Sequence, residues 1–359
     1  MLSGDFFQLP PVKDFPLYSD AKSKKSEKIS YEAQKGIQLY NYIVNNNSVV
    51  LDVIKRTENK EYATLQERVR LGNWDTNMIL TINQRVDATL TDVLDGSQVT
   101  DSDYQPILVV RNKTRQQIYE SAMIKIANNL KNTQQQLPII LYAKCSVRQS
   151  RKRKDPKTNH LNHNPELSLA EIGFLHSLPD NITDKMPMGF LLYLGSYVSI
   201  TKNLGVKYNL ANGTRGKVIG WQFPEGTVFH ESMYKGIKVS EPYRCGTVNF
   251  IQENIECIQF VLIKLCSKAV FEKPLNQPPD LPDNVVAIPI IKVAVSTSIQ
   301  LPNVSSRKNV NINIQQLPLR QCMTPTTYTI QGCQFSKYTI AETSAKDFYV
   351  AFSRGKQGL

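Results

Sequence analysis

The runs ILVV at residues 107–110 and IILYA at residues 139–143, with RNKTRQQIYESAMIKIANNL at residues 111–130 between them, decide the fold of this chain. Each apolar run is short and continuous, as expected of a strand buried on both faces of a sheet. In the middle segment, Asn112 or Thr114 could cap a helix. Apolar residues then recur at helical spacing at Ile118, Tyr119, Ala122, Met123, Ile126, Ala127 and Leu130. This βαβ pattern predicts an α/β domain with a parallel sheet.

The overall composition is that of a globular protein with a surplus of positive charge. The chain has 359 residues, of which 41% are hydrophobic and 21% charged, and its net charge is +12. This length accommodates two or three domains with cores of their own. The charge favours a polyanionic partner, because basic side chains near phosphates release condensed counterions, although charge alone leaves a merely basic protein open. No apolar run approaches the roughly 20 residues that span a bilayer, so we expect no membrane partner.

The six cysteines contain no C-x-x-C pair. In a chain of this size, their scatter indicates reduced thiols and an intracellular setting, for which nucleus and mitochondrion are equally open. Cys145, His160 and His163 are three residues of the types that bind zinc. Without a second closely spaced pair, a polar loop is the better interpretation, and we predict no metal site.

Changes of pattern divide the chain into four predicted segments. Residues 1–100 contain a helical pattern and end in a polar stretch, and residues 101–188 contain the βαβ pattern and a basic loop. Residues 189–300 change to short strands with many Gly and Pro, which is typical of a small β-barrel. Residues 301–359 return to short apolar strands and loops.

The basic loop carries six cations within ten residues: Arg148, Arg151, Lys152, Arg153, Lys154 and Lys157. Such a run could contact phosphates, act as a nuclear import signal or be a solvated loop. The sequence leaves all three open.

The segment GDFFQLPPV at residues 4–12 resembles the third conserved motif of the petite-integration-frequency (PIF) helicases, superfamily 1B motors that include RecD-like and Helitron-type members. The Gln of that motif reaches the γ-phosphate of ATP, and the resemblance gives this role to Gln8. The segment IKRT, followed by a helical pattern over residues 58–71, resembles a family segment whose Arg touches the same phosphate. This role falls to Arg56, although Thr57 stands where the family has Gln. Apart from the family, a double-proline turn and a surface charge explain the two segments.

Two later segments resemble further family motifs. YTIQG at residues 328–332 keeps Gln331 and Gly332 of a motif that bridges nucleotide and DNA, but it lacks the family's His-Lys pair. YVAFSRG at residues 349–355 matches closely a motif whose Arg is an arginine finger, and that residue is Arg354. A guanidinium suits this role because its planar donors stay charged as negative charge spreads over the phosphoryl oxygens.

Two stretches between these motifs resemble the family as well. Residues 195–218 resemble its SH3-like barrel, although Asn212 and Gly213 are also a hairpin turn signal in their own right. Residues 281–286 resemble a connector of Helitron-type members.

The resemblance implies an α/β fold: the end of a first RecA-like domain, then a second RecA-like parallel-sheet domain carrying a small SH3-like β-barrel insertion. It implies ATP and Mg²⁺ as cofactors of the intact enzyme and single-stranded DNA as partner, and we expect a monomer. The implied activity is 5′-to-3′ DNA unwinding in repair, recombination, telomere maintenance or Helitron transposition. The 359 residues contain no G-x-x-x-x-G-K-[ST] loop, and the family's acidic pair lies before GDFFQLPPV, so we expect a C-terminal portion of such a motor.

We therefore predict that this polypeptide alone does not hydrolyse ATP. Positioning supplies most of the catalysis in phosphoryl transfer, and the loop that holds the phosphates is missing from the sequence. An assay of phosphate release in the presence of Mg²⁺ and ATP tests this prediction. Turnover that the change Arg354→Ala abolishes would contradict the prediction.

Two other functions stay open. One is a non-catalytic module that binds single-stranded nucleic acid, and the other is a decayed mobile-element remnant. The departures at Thr57 and at residues 328–332 favour these over a fully active enzyme. The genomic frame upstream of Met1 separates the three: a phosphate loop there supports the helicase portion, a promoter and start codon support the module, and stop codons support the remnant.

Overall fold

The computed structural model describes thirteen stretches of the chain. They are residues 31–47, 57–84, 106–134, 136–148, 167–208, 210–244, 257–266, 281–282, 284–296, 298–302, 309–331, 333–335 and 338–355. They divide into two compact units. The first unit comprises the residues up to Ile118 together with those from Thr324 onward, and the second unit comprises Tyr119 to Met323.

The described helices follow the local sequence signals closely. They are α1 (Tyr31–Asn47), α2 (Lys60–Leu71), α3 (Thr76–Asn83), α4 (Asn112–Gln134), α5 (Leu169–His176) and α6 (Ala345–Phe352), with 3₁₀ turns at Val206–Tyr208 and Thr327–Ile330. Helix α2 starts after Asn59, whose side chain accepts the backbone N–H of Tyr62, and ends at Gly72 with a φ of 73°. The N-terminal side-chain acceptor and the left-handed C-terminal glycine are the usual ends of a helix, and they confirm the predicted helix here.

The strands are short, and most of them pair antiparallel. They are β1 (Ile107–Leu108), β2 (Ile139–Tyr142), β3 (Lys144–Val147), β4 (Gly189–Leu192), β5 (Tyr197–Ile200), β6 (Arg215–Gln222), β7 (Thr227–Tyr234), β8 (Ile237–Arg244), β9 (Phe260–Leu265), β10 (Val285–Pro289), β11 (Ile291–Ala294), β12 (Ile299–Gln300), β13 (Asn309–Val310), β14 (Ile312–Gln316), β15 (Leu319–Gln321) and β16 (Thr339–Ile340). The short strands predicted over residues 189–300 are present, among them β5, β6 and β9.

The first unit is built around parallel pairing. Strand β1 pairs parallel with β16, and Val109 continues the pairing through a parallel bridge to Thr326. Leu108, Ile330 and Ala351 pack together behind these strands as a fully buried cluster. Together with the helices, this parallel pairing confirms the predicted mixed α/β class.

The predicted βαβ unit is wrong in its pairing. Strands β1 and β2 lie in different sheets, and β2 pairs antiparallel with β4 and parallel with β8 only at Ile139. The apolar run of β2 is buried, as predicted, but burial does not specify the neighbour of a strand. Helix α4 is present, and the division between the two units falls within it.

The second unit consists mainly of antiparallel sheets. Its largest sheet has the strand order β10-β9-β6-β5-β15, beside sheets of order β4-β2-β8-β7 and β11-β14-β3. Val198, Val218 and Ile263 from the central strands of the five-stranded sheet are buried in one core. The SH3-like barrel and the four predicted segment boundaries stay predictions. Among the helices in the described stretches, none is long and apolar enough to cross a membrane.

Candidate functional site at helix α6

Two of the predicted site residues, Gln331 and Arg354, fall in the part of the chain that the structure describes, and both belong to the first unit. Gln8, Arg56 and Gly332 lie outside the described residues. The neighbour of Arg56 in the chain, Thr57, belongs to the same unit, where it is buried and its hydroxyl accepts the backbone N–H of Asn59 at 3.2 Å.

The start of helix α6 is fixed by a carboxylate with local and distant donors. Ser344 is the N-cap, and its Oγ accepts the backbone N–H of Asp347 at 3.3 Å. The buried Asp347 carboxylate accepts hydrogen bonds from Ser344 Oγ and, at 2.8 Å, from Thr327 Oγ1. Because Thr327 opens the 3₁₀ turn Thr327–Ile330, this bond holds the predicted nucleotide-and-DNA motif against the helix that ends in the arginine motif.

The Arg354 side chain closes the other end of helix α6. It is fully buried, with 0% exposed surface. Its Nε donates to the Val350 carbonyl at 2.8 Å, its Nη2 to Ser353 Oγ at 2.8 Å and its Nη1 to the Cys333 carbonyl at 3.4 Å. The Arg354 carbonyl in turn accepts the N–H of Phe335 at 2.8 Å. Cys333 and Phe335, which follow the YTIQG segment, are therefore bonded to the side chain and the backbone of Arg354.

Two tyrosines hold the last carbonyl of helix α6. The hydroxyls of Tyr62 and Tyr338 donate to the Phe352 carbonyl at 2.7 Å and 2.8 Å and lie 3.3 Å apart. Burial, together with the neighbouring Tyr62, raises the pKa of Tyr338 well above its usual value, although the Arg354 charge acts in the opposite direction. A Cβ at Gly355 would lie 2.6 Å from the Tyr62 hydroxyl, so the glycine of the arginine motif makes room for this tyrosine.

Arg354 in this conformation is a buried cation whose acceptors include two carbonyl oxygens and one hydroxyl oxygen. The guanidinium stays charged, and burying it is tolerated because carbonyl and hydroxyl oxygens replace part of its hydration. To hold a phosphoryl group, Arg354 would exchange these acceptors for phosphate oxygens. Its role as an arginine finger stays a prediction.

Four residues of this site were missed by sequence reasoning: Tyr62, Thr327, Tyr338 and Asp347. Only Asp347 carried a readable signal, since Ser344-x-x-Asp347 is a helix-capping pattern. Tyr62 falls in the helical pattern predicted over residues 58–71, and nothing local indicates that its hydroxyl reaches Phe352, 290 residues away in sequence.

The zinc and phosphate candidates gain no support from the described residues. These contain no group of three His, Cys, Asp or Glu side chains that could hold a metal ion. His160 and His163 lie outside the described stretches, and burial raises the pKa of Cys145 to about 12, which disfavours a thiolate ligand. Of the basic loop, only Arg148 is described, and its backbone N–H donates to the Asn311 carbonyl at 2.7 Å.

No protein-family model and no curated protein matches the chain. Among solved structures, the Pif1 helicase from Bacteroides in complex with ADP-AlF3 and single-stranded DNA is 13% identical with a TM-score of 0.48, and the match covers 98% of this chain and 59% of that chain. Pif1 helicase from Candida albicans is 16% identical with a TM-score of 0.48, over 99% of this chain and 63% of that one. Bacteroides Pif1 bound to single-stranded DNA is 12% identical with a TM-score of 0.46, and the match covers 99% of this chain and 61% of that one.

The chain thus spans between 59% and 63% of the length of these structures. At such identities and TM-scores, the likeness assigns no activity, ligand or residue role to this chain.

Proposed function

We propose that this chain is a portion of an ATP-dependent 5′-to-3′ DNA helicase motor and that it binds single-stranded DNA. The observation that carries the proposal is that the two residues flanking YTIQG, Thr327 and Cys333, bond to the two ends of the helix that leads into the arginine motif, at Asp347 and Arg354. Gln331 and Arg354 then serve the nucleotide, and Gln8, Arg56 and Gly332 complete the set. ATP and Mg²⁺ belong to the intact motor, whose phosphate loop this sequence does not contain.

The geometry supports this function because it couples the two segments. A motor must convert a change at the nucleotide into a change at DNA, which requires a contact that differs between two states. If Arg354 turned toward a phosphate, its bond to the Cys333 carbonyl would break, and the hold on the chain after YTIQG would loosen. The same arginine would thereby sense the phosphate and release the segment implicated in DNA contact.

A second candidate is a non-catalytic module that binds single-stranded DNA. The buried guanidinium favours it, because three of its donors are engaged by protein oxygens. Both candidates bind single-stranded DNA as a monomer, and they differ in whether an ATP-driven cycle acts on that binding.

Binding of single-stranded DNA is the common test. Fluorescence anisotropy of a labelled 20-nucleotide oligo-dT should show binding at 50 mM salt that weakens steeply by 200 mM. For four phosphate contacts, the slope of about −0.7 per contact corresponds to a loss of roughly 50-fold. Because electrostatic binding is strongest at low salt, the absence of binding at 50 mM would overturn both candidates.

A further inference from the structure

Strand β7 lies at the edge of the four-stranded sheet in the second unit. The sheet has the order β4-β2-β8-β7, and among the described stretches no strand pairs with the outer side of β7. The strand is eight residues long, contains no proline or lysine, and pairs with β8 without a bulge. Proteins usually protect a long edge strand by such devices, because its open backbone groups pair readily with another strand. The edge at β7 is therefore suited to pairing.

The hairpin turn determines which backbone groups of β7 face outward. Lys235 and Gly236 form a two-residue turn with φ angles of 49° and 79°, and Tyr234 pairs with Ile237 across it. The two residues that flank such a turn are hydrogen-bonded to each other, and bonded positions then alternate along the strand. Every second residue of β7 therefore points its N–H and C=O away from β8. These residues are Phe229, Glu231 and Met233.

Apolar side chains are exposed along this edge. Val228 is 41% exposed, Phe229 42% and Met233 64%. Glu231 is exposed between them and forms an ion pair with Lys238 of β8. A second strand that covered these apolar side chains would remove them from water, which is favourable.

The pattern of β7 is symmetric about Glu231. The stretch VFHESMY at residues 228–234 has one polar and then two apolar residues on each side of this glutamate. A two-fold interface requires a surface that is complementary to itself. An antiparallel pair of two such strands satisfies this requirement, which selects a second copy of the chain as the partner.

Backbone geometry leaves two registers in which the strands overlap over most of their length. Because outward-facing residues bond only to outward-facing residues, the two-fold axis passes through Glu231 or through His230. An axis through Glu231 places all four apolar residues of the stretch opposite apolar residues of the second copy, whereas an axis through His230 places none of them so. Apolar cross-strand pairs stabilise a sheet, so the axis lies at Glu231. The pairs are Phe229 with Met233 and Val228 with Tyr234.

This register also suits the polar groups of the edge. The buried Ser232 Oγ has no hydrogen-bond partner within the part of the chain that the structure describes. The register places the His230 imidazole of the second copy opposite Ser232, in the closely spaced type of pair, where an imidazole can bond a hydroxyl. The two Glu231 carboxylates meet at the axis, and each is paired with Lys238 of its own chain, so two cations balance the two anions.

We propose that β7 pairs antiparallel with β7 of a second copy of this chain, about a two-fold axis at Glu231, and so joins two four-stranded sheets into one. The surface involves neither the nucleotide motifs nor DNA, so this inference is independent of the proposed function. Residues 228–234 form a small interface, and small interfaces give complexes that dissociate on dilution. The monomer expected for DNA binding is then the form present in dilute solution.

A cysteine at the axis tests the register in the whole chain. Residues in a hydrogen-bonded antiparallel pair have Cα atoms about 5.5 Å apart, a distance that a disulfide spans. Glu231→Cys should therefore give a disulfide-linked dimer on mild oxidation, identified by mass as two joined copies of the β7 peptide. Met233→Cys is the matched control, because the two copies of this residue lie roughly 14 Å apart along the strands. The wild type, oxidised in parallel, gives the background from the native cysteines.

Sedimentation over a range of protein concentrations tests the pairing without a crosslink. The wild type should dimerise as its concentration rises. Met233→Lys places a charge opposite Phe229 at two symmetric positions, and the loss of two apolar pairs should raise the dissociation constant roughly 10-fold or more. Val206→Lys is the control, because Val206 is 62% exposed against 64% for Met233 and lies outside β7. This variant should dimerise as the wild type does.

Three outcomes overturn the proposal. The first is a wild type that stays monomeric at every concentration, even if β7 then binds a strand of another protein. The second is equal crosslinking through Glu231→Cys and Met233→Cys. The third is equal dissociation constants for the two lysine variants, each shown by circular dichroism to be folded.

Discussion

Replacing Arg354 with alanine should lower the free energy of unfolding of the first unit by about 3–5 kcal/mol, from the loss of a large buried side chain and of the donors to its acceptors. The change removes a donor from the buried Val350 carbonyl and another from the part-buried Cys333 carbonyl, and it leaves a cavity where a fully buried side chain had been. Such an effect is large against a total stability of about 5–15 kcal/mol.

The chain offers its own reporter and control for this measurement. Of its two tryptophans, Trp74 lies in the first unit, 5.6 Å from Phe348 on helix α6, so the change Trp221→Phe leaves Trp74 as the fluorescent probe during urea unfolding. The control is Arg111→Ala, since this arginine in the same unit is 74% exposed and its ion pair with Glu342 is worth less than about 1 kcal/mol. If both variants unfold at the midpoint of the parent, Arg354 is not held in this buried site.

Because Arg354→Ala should also destabilise the first unit, this change alone does not test the predicted arginine-finger role. A loss of any ATP-linked activity on Arg354→Ala has two sources, a missing charge at the phosphate and an unfolded first unit. The urea midpoint separates them, because only the second source moves it. Activity is therefore to be compared at equal fractions of folded protein.

Local sequence signals predicted where helices and strands form better than they predicted which strands pair with one another. Helix α2 was readable because its apolar positions and its closing Gly72 are neighbours in the chain. The strand that pairs with β1 could not be predicted. Ile107 pairs with Thr339, and no periodicity within a strand specifies a neighbour so distant in sequence. The βαβ interpretation failed at this step, since it assigned β1 the next apolar run along the chain.

For the candidate site too, the sequence predicted residues but not their tertiary contacts. The motif resemblance predicted Gln331 and Arg354, and the structure places both in the first unit. The burial of Arg354 could not be predicted, because an arginine at a helix end usually faces water, and nothing local indicates that the carbonyl of Cys333, 21 residues away in sequence, accepts from its guanidinium. Tertiary contacts of this kind carry no local signature.

Gln316, like Arg354, is a fully buried polar residue, and replacing it with leucine should have the largest effect in the second unit. It ends strand β14 with 0% exposed surface. Its Nε2 donates to the Leu141 carbonyl on β2 at 2.9 Å, and its Oε1 accepts the Leu317 N–H at 2.9 Å. Leucine fills a similar volume but leaves a donor and an acceptor buried without partners, at about 1–3 kcal/mol each, so we expect a loss of about 2–6 kcal/mol.

The position of Gln316 explains why this loss should spread through the unit. Strand β14 belongs to the three-stranded sheet, β2 to the four-stranded sheet, and Leu317 leads into β15 of the five-stranded sheet. One amide side chain thus joins the ends of strands from three sheets, and we expect the second unit to unfold as a whole in the variant. With the change Trp74→Phe, Trp221 reports urea unfolding of this unit, and Gln315→Leu on the same strand is the matched control because its side chain is only half-buried. Equal midpoints for the two leucine variants would mean that the sheets are held together by their apolar core alone.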